Sequence, residues 1–218
     1  MVLKYILSGV VGYLLGNISS GYLVSRAYGL RDIRKHGSGN SGTTNVLRTL
    51  GWLPSVLTLI GDFLKGYAAC LIGKWLAGDL GMLIGGFCAI LGHDFPVFMG
   101  FKGGKGIATS LGLIIAINPW MGLAELVVQI IAVAITHTMS IASLITTVAF
   151  PVLVAVMERG RENFPLFLGF ALAASALALF GHRGNIDRLI RGKENTLDFK
   201  RISKISEKVM ERMRNRNK

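Results

Sequence analysis

The sequence predicts an all-α, polytopic integral membrane protein, and three observations predict it. Apolar residues make up 51% of the chain against 17% charged, a balance far from that of a soluble domain. The apolar residues fall in long runs, many near the twenty or so that cross a bilayer core. The basic excess of +12 gathers between and after those runs. That pattern excludes a soluble globular domain and a disordered chain, and it argues against a nucleic-acid partner despite the high pI.

Seven spans are expected, at 2–25, 52–74, 80–100, 105–118, 119–136, 140–157 and 164–181. The first is too long for a signal peptide and has no small-x-small cleavage site. Gly9, Gly12 and Gly16 in it, and Gly81 and Gly85 in the third, are spaced for close helix contact. The second carries Asp62 and Lys65, three apart on one helix face and expected to pair. The third carries His93 and Asp94. The fourth is short, and Asn118-Pro119 ends it. The fifth holds Glu125 and Gln129, four apart, and an internal pairing is expected there too. Ionisable groups are costly in lipid, so all of these should face the bundle or sit near an end. Cys70 and Cys88 lie in apolar runs, which gives neither a disulfide framework nor a metal-ligand spacing. No internal repeat is visible, which weighs against the common transporter folds.

Charge sets the topology. Arg26, Arg31, Arg34, Lys35 and Arg48 lie between the first two spans, Lys102 and Lys105 between the third and fourth, and 12 bases follow His182. Basic residues concentrate on the cytoplasmic side. Seven spans satisfy this with the N-terminus outside and the C-terminus cytoplasmic. Five spans also satisfy it, if 105–136 forms a re-entrant hairpin, and both arrangements remain open. Residues 1–197 are read as the membrane domain and 198–218 as a basic cytoplasmic tail. Phe199, Ile202, Ile205, Val209 and Met213 form one apolar stripe in that tail. It is expected to lie on anionic lipid.

The polar residues concentrate in three blocks, all on the expected cytoplasmic face. The first, Gly37 to Arg48, holds Ser38, Asn40, Asn45 and Arg48 among three glycines. It contains a G-x-G-x-x-G string, but no strand precedes it, so it is no dinucleotide fingerprint. Its hydroxyls, amides and guanidinium are phosphate and hydroxyl ligands. The second, Gly92 to Thr109, holds His93 and the run Lys102-Gly103-Gly104-Lys105-Gly106 ahead of an apolar helix. Glycine lets a backbone close around an oxyanion, and a helix start offers free N–H groups. It is not a P-loop, because Met99 and Gly106 stand where that motif needs glycine and a hydroxyl. The third, His182 to Glu194, sets His182 and Asn185 three apart, with Glu194 near Arg188, Arg191 and Lys193 as a candidate counter-ion.

The stretches Ser-Gly-Asn-Ser-Gly-Thr-Thr-Asn-Val-Leu-Arg, Phe-Lys-Gly-Gly-Lys-Gly and His-Arg-Gly-Asn-Ile-Asp-Arg-Leu-Ile-x-Gly-x-Glu resemble the three signature blocks of the PlsY family. These are the bacterial acyl-phosphate:glycerol-3-phosphate acyltransferases. The resemblance runs from the first span to about Leu197. It departs at Thr43, where members usually carry alanine, and says nothing of the tail. It implies a seven-helix enzyme of the bacterial inner membrane with its active site facing the cytoplasm. Such an enzyme moves an acyl chain from acyl-phosphate to the 1-hydroxyl of glycerol-3-phosphate, giving lysophosphatidic acid and phosphate. It also implies roles. Ser38, Asn40, His182 and Asn185 would be catalytic. Asn45, Arg48, His93, Lys102, Gly103, Gly104, Lys105, Ser140, Ser143 and Glu194 would bind substrate. Membrane lipids are the other partner, and neither cofactor nor metal is implied. The competing reading is a transporter of a phosphorylated substrate, which needs its polar residues at mid-depth on broken helices; here they sit at one face.

Overall fold

The computed structural model describes residues 1–216. Asn217 and Lys218, the end of the expected tail, lie outside the described residues. Every regular element is a helix among those described. α1 (Val2–Asn17) and α2 (Ser20–Ala27) are one apolar stretch broken at Ile18-Ser19. α3 (Thr43–Leu50) is short and stops at Gly51, whose φ of 87° suits glycine. α4 (Trp52–Asp94) is an antiparallel hairpin that turns at Ala77-Gly78, with Gly78 at φ 66°. α5 (Ile107–Ile117), α6 (Pro119–Thr136), α7 (Met139–Met157) and α8 (Phe164–Gly181) follow, then the short α9 (Arg183–Ile190) and the C-terminal α10 (Phe199–Arg216).

Five stretches are long and apolar enough to cross a membrane, and one of them is the whole hairpin. α5 has 11 residues, about 16 Å, half of a bilayer core. The hairpin explains why so short a helix serves. Its second arm, 79–94, stops about 14 Å before the level of Trp52, where the first arm starts. The 95–106 connection therefore begins short of that level, ahead of α5.

The small residues do what their spacing predicts. A Cβ on Gly12 would run into the Gly85 carbonyl and one on Gly16 into that of Ala89, so α1 lies directly against the second arm. Gly73 and Gly81 meet the same way across the hairpin. Asp62 pairs with Lys65 as expected, at 2.8 Å and almost fully buried. Glu125 and Gln129 do not pair. Gln129 turns to α7, where its Oε1 accepts from Thr146 Oγ1 at 3.2 Å, and Glu125 is left alone. Away from the polar blocks, Arg161 binds Asp79 at the hairpin tip and Glu158, and Asn118 Nδ2 donates to Glu158. Those contacts tie three connections together.

α10 departs from expectation. Its stripe does not lie on lipid. Ile202 packs with Leu47 and Leu197, and Val209 and Ile205 pack with Ile33, Val46 and Leu50. α3 is amphipathic and exposes an apolar face that needs cover, and the tail supplies it. Lys200, Arg201, Lys204, Lys208, Arg212 and Arg214 remain exposed on the other side.

Candidate active site

A cavity of about 1040 Å³ opens where the three polar blocks meet. Its mouth is polar, lined by Ser38, Asn40, Arg48, Lys105, His182, Asn185, Arg188 and Glu194. Its inner part is an apolar slot between α4, α5, α6 and α7, lined by Leu59, Ile114, Leu126, Ile130, Val133 and Phe150. Leu59, Leu126 and Ile130 are also exposed on the outer surface of the bundle. The slot therefore borders lipid along its side.

The first block supplies a braced loop and a free guanidinium. Asn45 is 1% exposed. Its Nδ2 donates to the carbonyls of His36 and Asn40 at 2.9 and 2.7 Å, and its Oδ1 accepts from the Ser38 amide at 2.8 Å. An amide so occupied has nothing left for a ligand. Asn45 lines the cavity wall, and its hydrogen bonds go to bracing the loop. The Asn40 carbonyl oxygen caps Gly42 N at 2.7 Å, which leaves its NH₂ to the cavity. Ser38 is exposed, and among the described residues no hydrogen bond joins it to a histidine. Arg48 Nη2 donates to Asn195 O at 2.9 Å, while its buried Nε has no partner among the described residues. One edge of the fork is held and the other is open.

The second block divides. Lys102 is exposed and lies in a separate recess of about 400 Å³ with Asp32, Arg34 and Gly39, so it does not join the cavity. The amides of Gly103 and Gly104 are already spent on the carbonyls of Asp94 and His93, at 3.2 and 2.9 Å. Neither amide can cradle an anion, contrary to expectation. These glycines are required by packing instead, since a Cβ on Gly104 would overlap the His93 ring. The groups left to meet an anion lie just beyond, at Lys105 and at Ile107 and Ala108 in the first turn of α5, all lining the cavity. The first amides of a helix have no intrahelical partner.

His93 is anchored from behind. Lys65 Nζ lies 2.7 Å from His93 Nδ1, 2.8 Å from Asp62 Oδ1 and 2.8 Å from the Ile18 carbonyl left open at the α1–α2 break. Lysine has donors only. His93 Nδ1 is therefore an acceptor, and its ring proton sits on Nε2.

The third block completes the mouth. Lys105 donates to Asn185 Oδ1, Asn185 Nδ2 donates to Glu194 Oε1 at 2.8 Å, and Arg188 Nε donates to Glu194 Oε2 at 2.8 Å. Burial alone would raise the Glu194 carboxyl, but hydrogen bonds from Asn185 and Arg188 hold it below the usual range. Glu194 is thus the counter-ion expected. Burial, then the charge of Arg188, pushes Lys105 down to about 8. His182 is 2% exposed. Burial and the nearby Lys105 charge push it down to about 4. Its Nδ1 lies 2.8 Å from the Ala178 carbonyl, which can only accept, so the neutral ring keeps Nε2 free as an acceptor. Ser140 and Ser143 line the cavity from α7, and the buried Ser140 hydroxyl has no partner among the described residues.

Sequence reasoning left Arg188 out of the site. Its signal is helical spacing: it stands three residues after Asn185 on α9 and so shares its face. The mouth thus gathers Arg48, Lys105 and Arg188 around one carboxylate, a balance suited to phosphate.

A sequence model described as glycerol-3-phosphate acyltransferase matches residues 6–192. The glycerol-3-phosphate acyltransferase of Clostridioides difficile is 41% identical over 206 residues, covering 92% of this chain and 98% of its own. That of Geobacter sulfurreducens is 42% identical over 195 residues, covering 89% and 98%. A crystal structure of PlsY (YgiH), an integral membrane glycerol 3-phosphate acyltransferase, in its glycerol 3-phosphate form aligns with a TM-score of 0.81 and 35% identity, covering 89% of this chain and 96% of the other. Its lysophosphatidic acid form aligns at 0.80 and 33%, covering 91% and 97%.

Proposed function

The chain belongs to the glycerol-3-phosphate acyltransferase family, and from that premise we propose that it acylates the 1-hydroxyl of glycerol-3-phosphate with acyl-phosphate as donor. One observation carries the reading: a single cavity joins a cationic mouth to an apolar slot that borders lipid. Both substrates bear phosphate and one bears a tail.

The reaction needs no acyl-enzyme. The glycerol hydroxyl oxygen attacks the acyl carbonyl carbon; that C–O bond forms, and the bond from the carbonyl carbon to the phosphate oxygen breaks. His182 Nε2 accepts from the attacking hydroxyl and orients it. The departing phosphate, with a second pKa of about 6, takes the proton. Arg48, Lys105 and the first turn of α5 hold phosphate oxygens, and Asn40 and Asn185 donate in the same pocket. Much of the acceleration then comes from placement, roughly 7–11 kcal/mol at most.

The connections fit seven crossings. Those holding the three blocks meet at the cavity mouth, while the hairpin tip, Asn118 and Glu158–Arg161 meet elsewhere. The basic residues at the mouth support a cytoplasmic mouth and an outside N-terminus, and the family reading adds the bacterial inner membrane.

Purified protein given acyl-phosphate and glycerol-3-phosphate should release phosphate and form lysophosphatidic acid. Equal turnover with acyl-coenzyme A would overturn the donor assignment. Labelled acyl-phosphate supplied without acceptor should leave no label on denatured protein. Stoichiometric label that vanishes in Ser38→Ala would make Ser38 a nucleophile and overturn direct transfer.

The pH profile of kcat/KM should be flat through neutrality, without a histidine inflection near 6.5. It should fall above about 8 as free Lys105 loses its charge. Lys105→Gln should be slow at every pH and lack that upper limb. An unchanged limb in the variant would remove Lys105 from phosphate binding.

Gly104→Ala should raise KM for glycerol-3-phosphate more than it lowers kcat. The new Cβ pushes against His93 and shifts the peptide that leads to Lys105. Overpacking of this kind costs about 1–3 kcal/mol, about fivefold or more in KM if it falls on binding. An unchanged KM at normal yield would mean that the loop does not set Lys105.

A further inference from the structure

Glu125 lies in the apolar slot, inside α6, and among the described residues it has none of the partners that Asp62 and Glu194 have. Asp62 has Lys65, and Glu194 has Arg188 and Asn185. Glu125 is 3% exposed, and its Oε1 has no hydrogen-bond partner among the described residues. It lines the cavity, among Ile114, Leu126, Ile130 and Phe150. Along α6 it sits roughly 16 Å from Thr136, well below the mouth.

One turn nearer the mouth is Gln129, also on the cavity wall. Its Oε1 accepts from Thr146, but among the described residues its NH₂ reaches only the thioether of Met139, at 3.1 Å, a weak acceptor. Two under-used hydrogen-bonding groups thus share one face of α6, four residues apart, and both line the slot. A plain hydrocarbon tail threaded past them offers neither a donor nor an acceptor, and it leaves the carboxyl desolvated and unpaired. A hydroxyl can donate to and accept from that carboxyl at once.

We propose that Glu125 and Gln129 form a polar subsite within the slot that selects acyl chains carrying a mid-chain hydroxyl. This rests on the acyl-transfer reading of the cavity. The proposal concerns which acyl chains are preferred and leaves the reaction at the mouth unchanged.

The test uses the purified full chain and saturated acyl-phosphates, either plain or with one hydroxyl at successive mid-chain carbons. At one hydroxyl position kcat/KM should exceed that of the plain donor by about fivefold to tenfold, the worth of one net hydrogen bond. Glu125→Leu should invert the preference, gaining on plain donors and losing on the hydroxylated one, while Glu125→Gln should keep it. Plain donors preferred at every position, or a hydroxyl preference that survives Glu125→Leu, would overturn the subsite. A general gain by Glu125→Leu on long plain donors, with no hydroxyl preference in the wild type, would also overturn it. A second measurement does not need turnover: a mid-chain hydroxylated fatty acid should raise Tm more than its plain parent, and Glu125→Leu should abolish the difference. Equal shifts overturn the subsite. No turnover with any donor, while that Tm difference holds, would overturn the acyl-transfer reading and leave the subsite standing.

Discussion

Arg48→Lys is expected to lose about a hundredfold or more in kcat/KM while the protein folds and purifies normally, the size of effect seen when a donor to developing charge is removed. The reason is the fork. Nη2 of Arg48 is committed to the Asn195 carbonyl at 2.9 Å, while Nε is buried and unpaired. Burial pulls the guanidinium below its ordinary value; Glu194 draws it back, and Arg188 adds to the burial. A planar guanidinium can hold the Asn195 carbonyl with one edge and two phosphate oxygens with the other. Lysine brings a single charged point on a flexible stem and must choose. Kinetics of the purified variant, set beside its yield, decide the matter. Near-normal activity would reduce Arg48 to one more positive charge at the mouth.

Lys65→Met should destabilise the protein by about 3–5 kcal/mol, the usual result of stripping the partner from a buried charge. Asp62 would be left 1% exposed without its lysine, with only His93 Nδ1 nearby at 3.5 Å, and the Ile18 carbonyl would lose its donor. The paired change Asp62→Leu with Lys65→Met should recover most of the loss, because it removes both charges from the bilayer interior. Thermal unfolding in detergent reads both variants. A single variant as stable as the wild type would mean that water reaches Asp62. The recovered double variant should still bind substrate poorly, since His93 Nδ1 loses the ammonium that fixes its ring against Gly104.

The residues that could be read from the sequence are those whose chemistry alone marks them. Runs of glycine, amide and guanidinium between apolar spans have few uses in a membrane protein, so the three blocks and Arg48, Lys105, His182, Asn185 and Glu194 stood out. The two arms of the hairpin were legible as the spans at 52–74 and 80–100. Facing direction was not. Lys102 and Lys105 are equal as letters, and which one enters the cavity depends on how the 95–106 connection folds against the end of α4. Asn45 looked like a ligand because asparagine serves ligands and backbone equally well. The glycine amides looked free because their partners, the carbonyls of His93 and Asp94, become available only where α4 ends. The apolar stripe of α10 had two possible covers, lipid and α3, and periodicity cannot choose between them.

The seat of α10 on α3 also sets an order of events during synthesis. Arg48 and the Asn195 carbonyl that holds it are 147 residues apart in the chain. At roughly 5–20 residues per second, the ribosome needs about 7–30 s to travel that distance. For all of that time α3 has been made and its cover has not. Val46, Leu47 and Leu50, buried in the finished protein, stay open, and the guanidinium has no tether. The catalytic mouth is therefore the last part of this protein to be finished, after its spans are already made. A nascent chain halted before α10 emerges should be inserted and inactive, with its first polar block still accessible to a protease added on the side where the mouth opens.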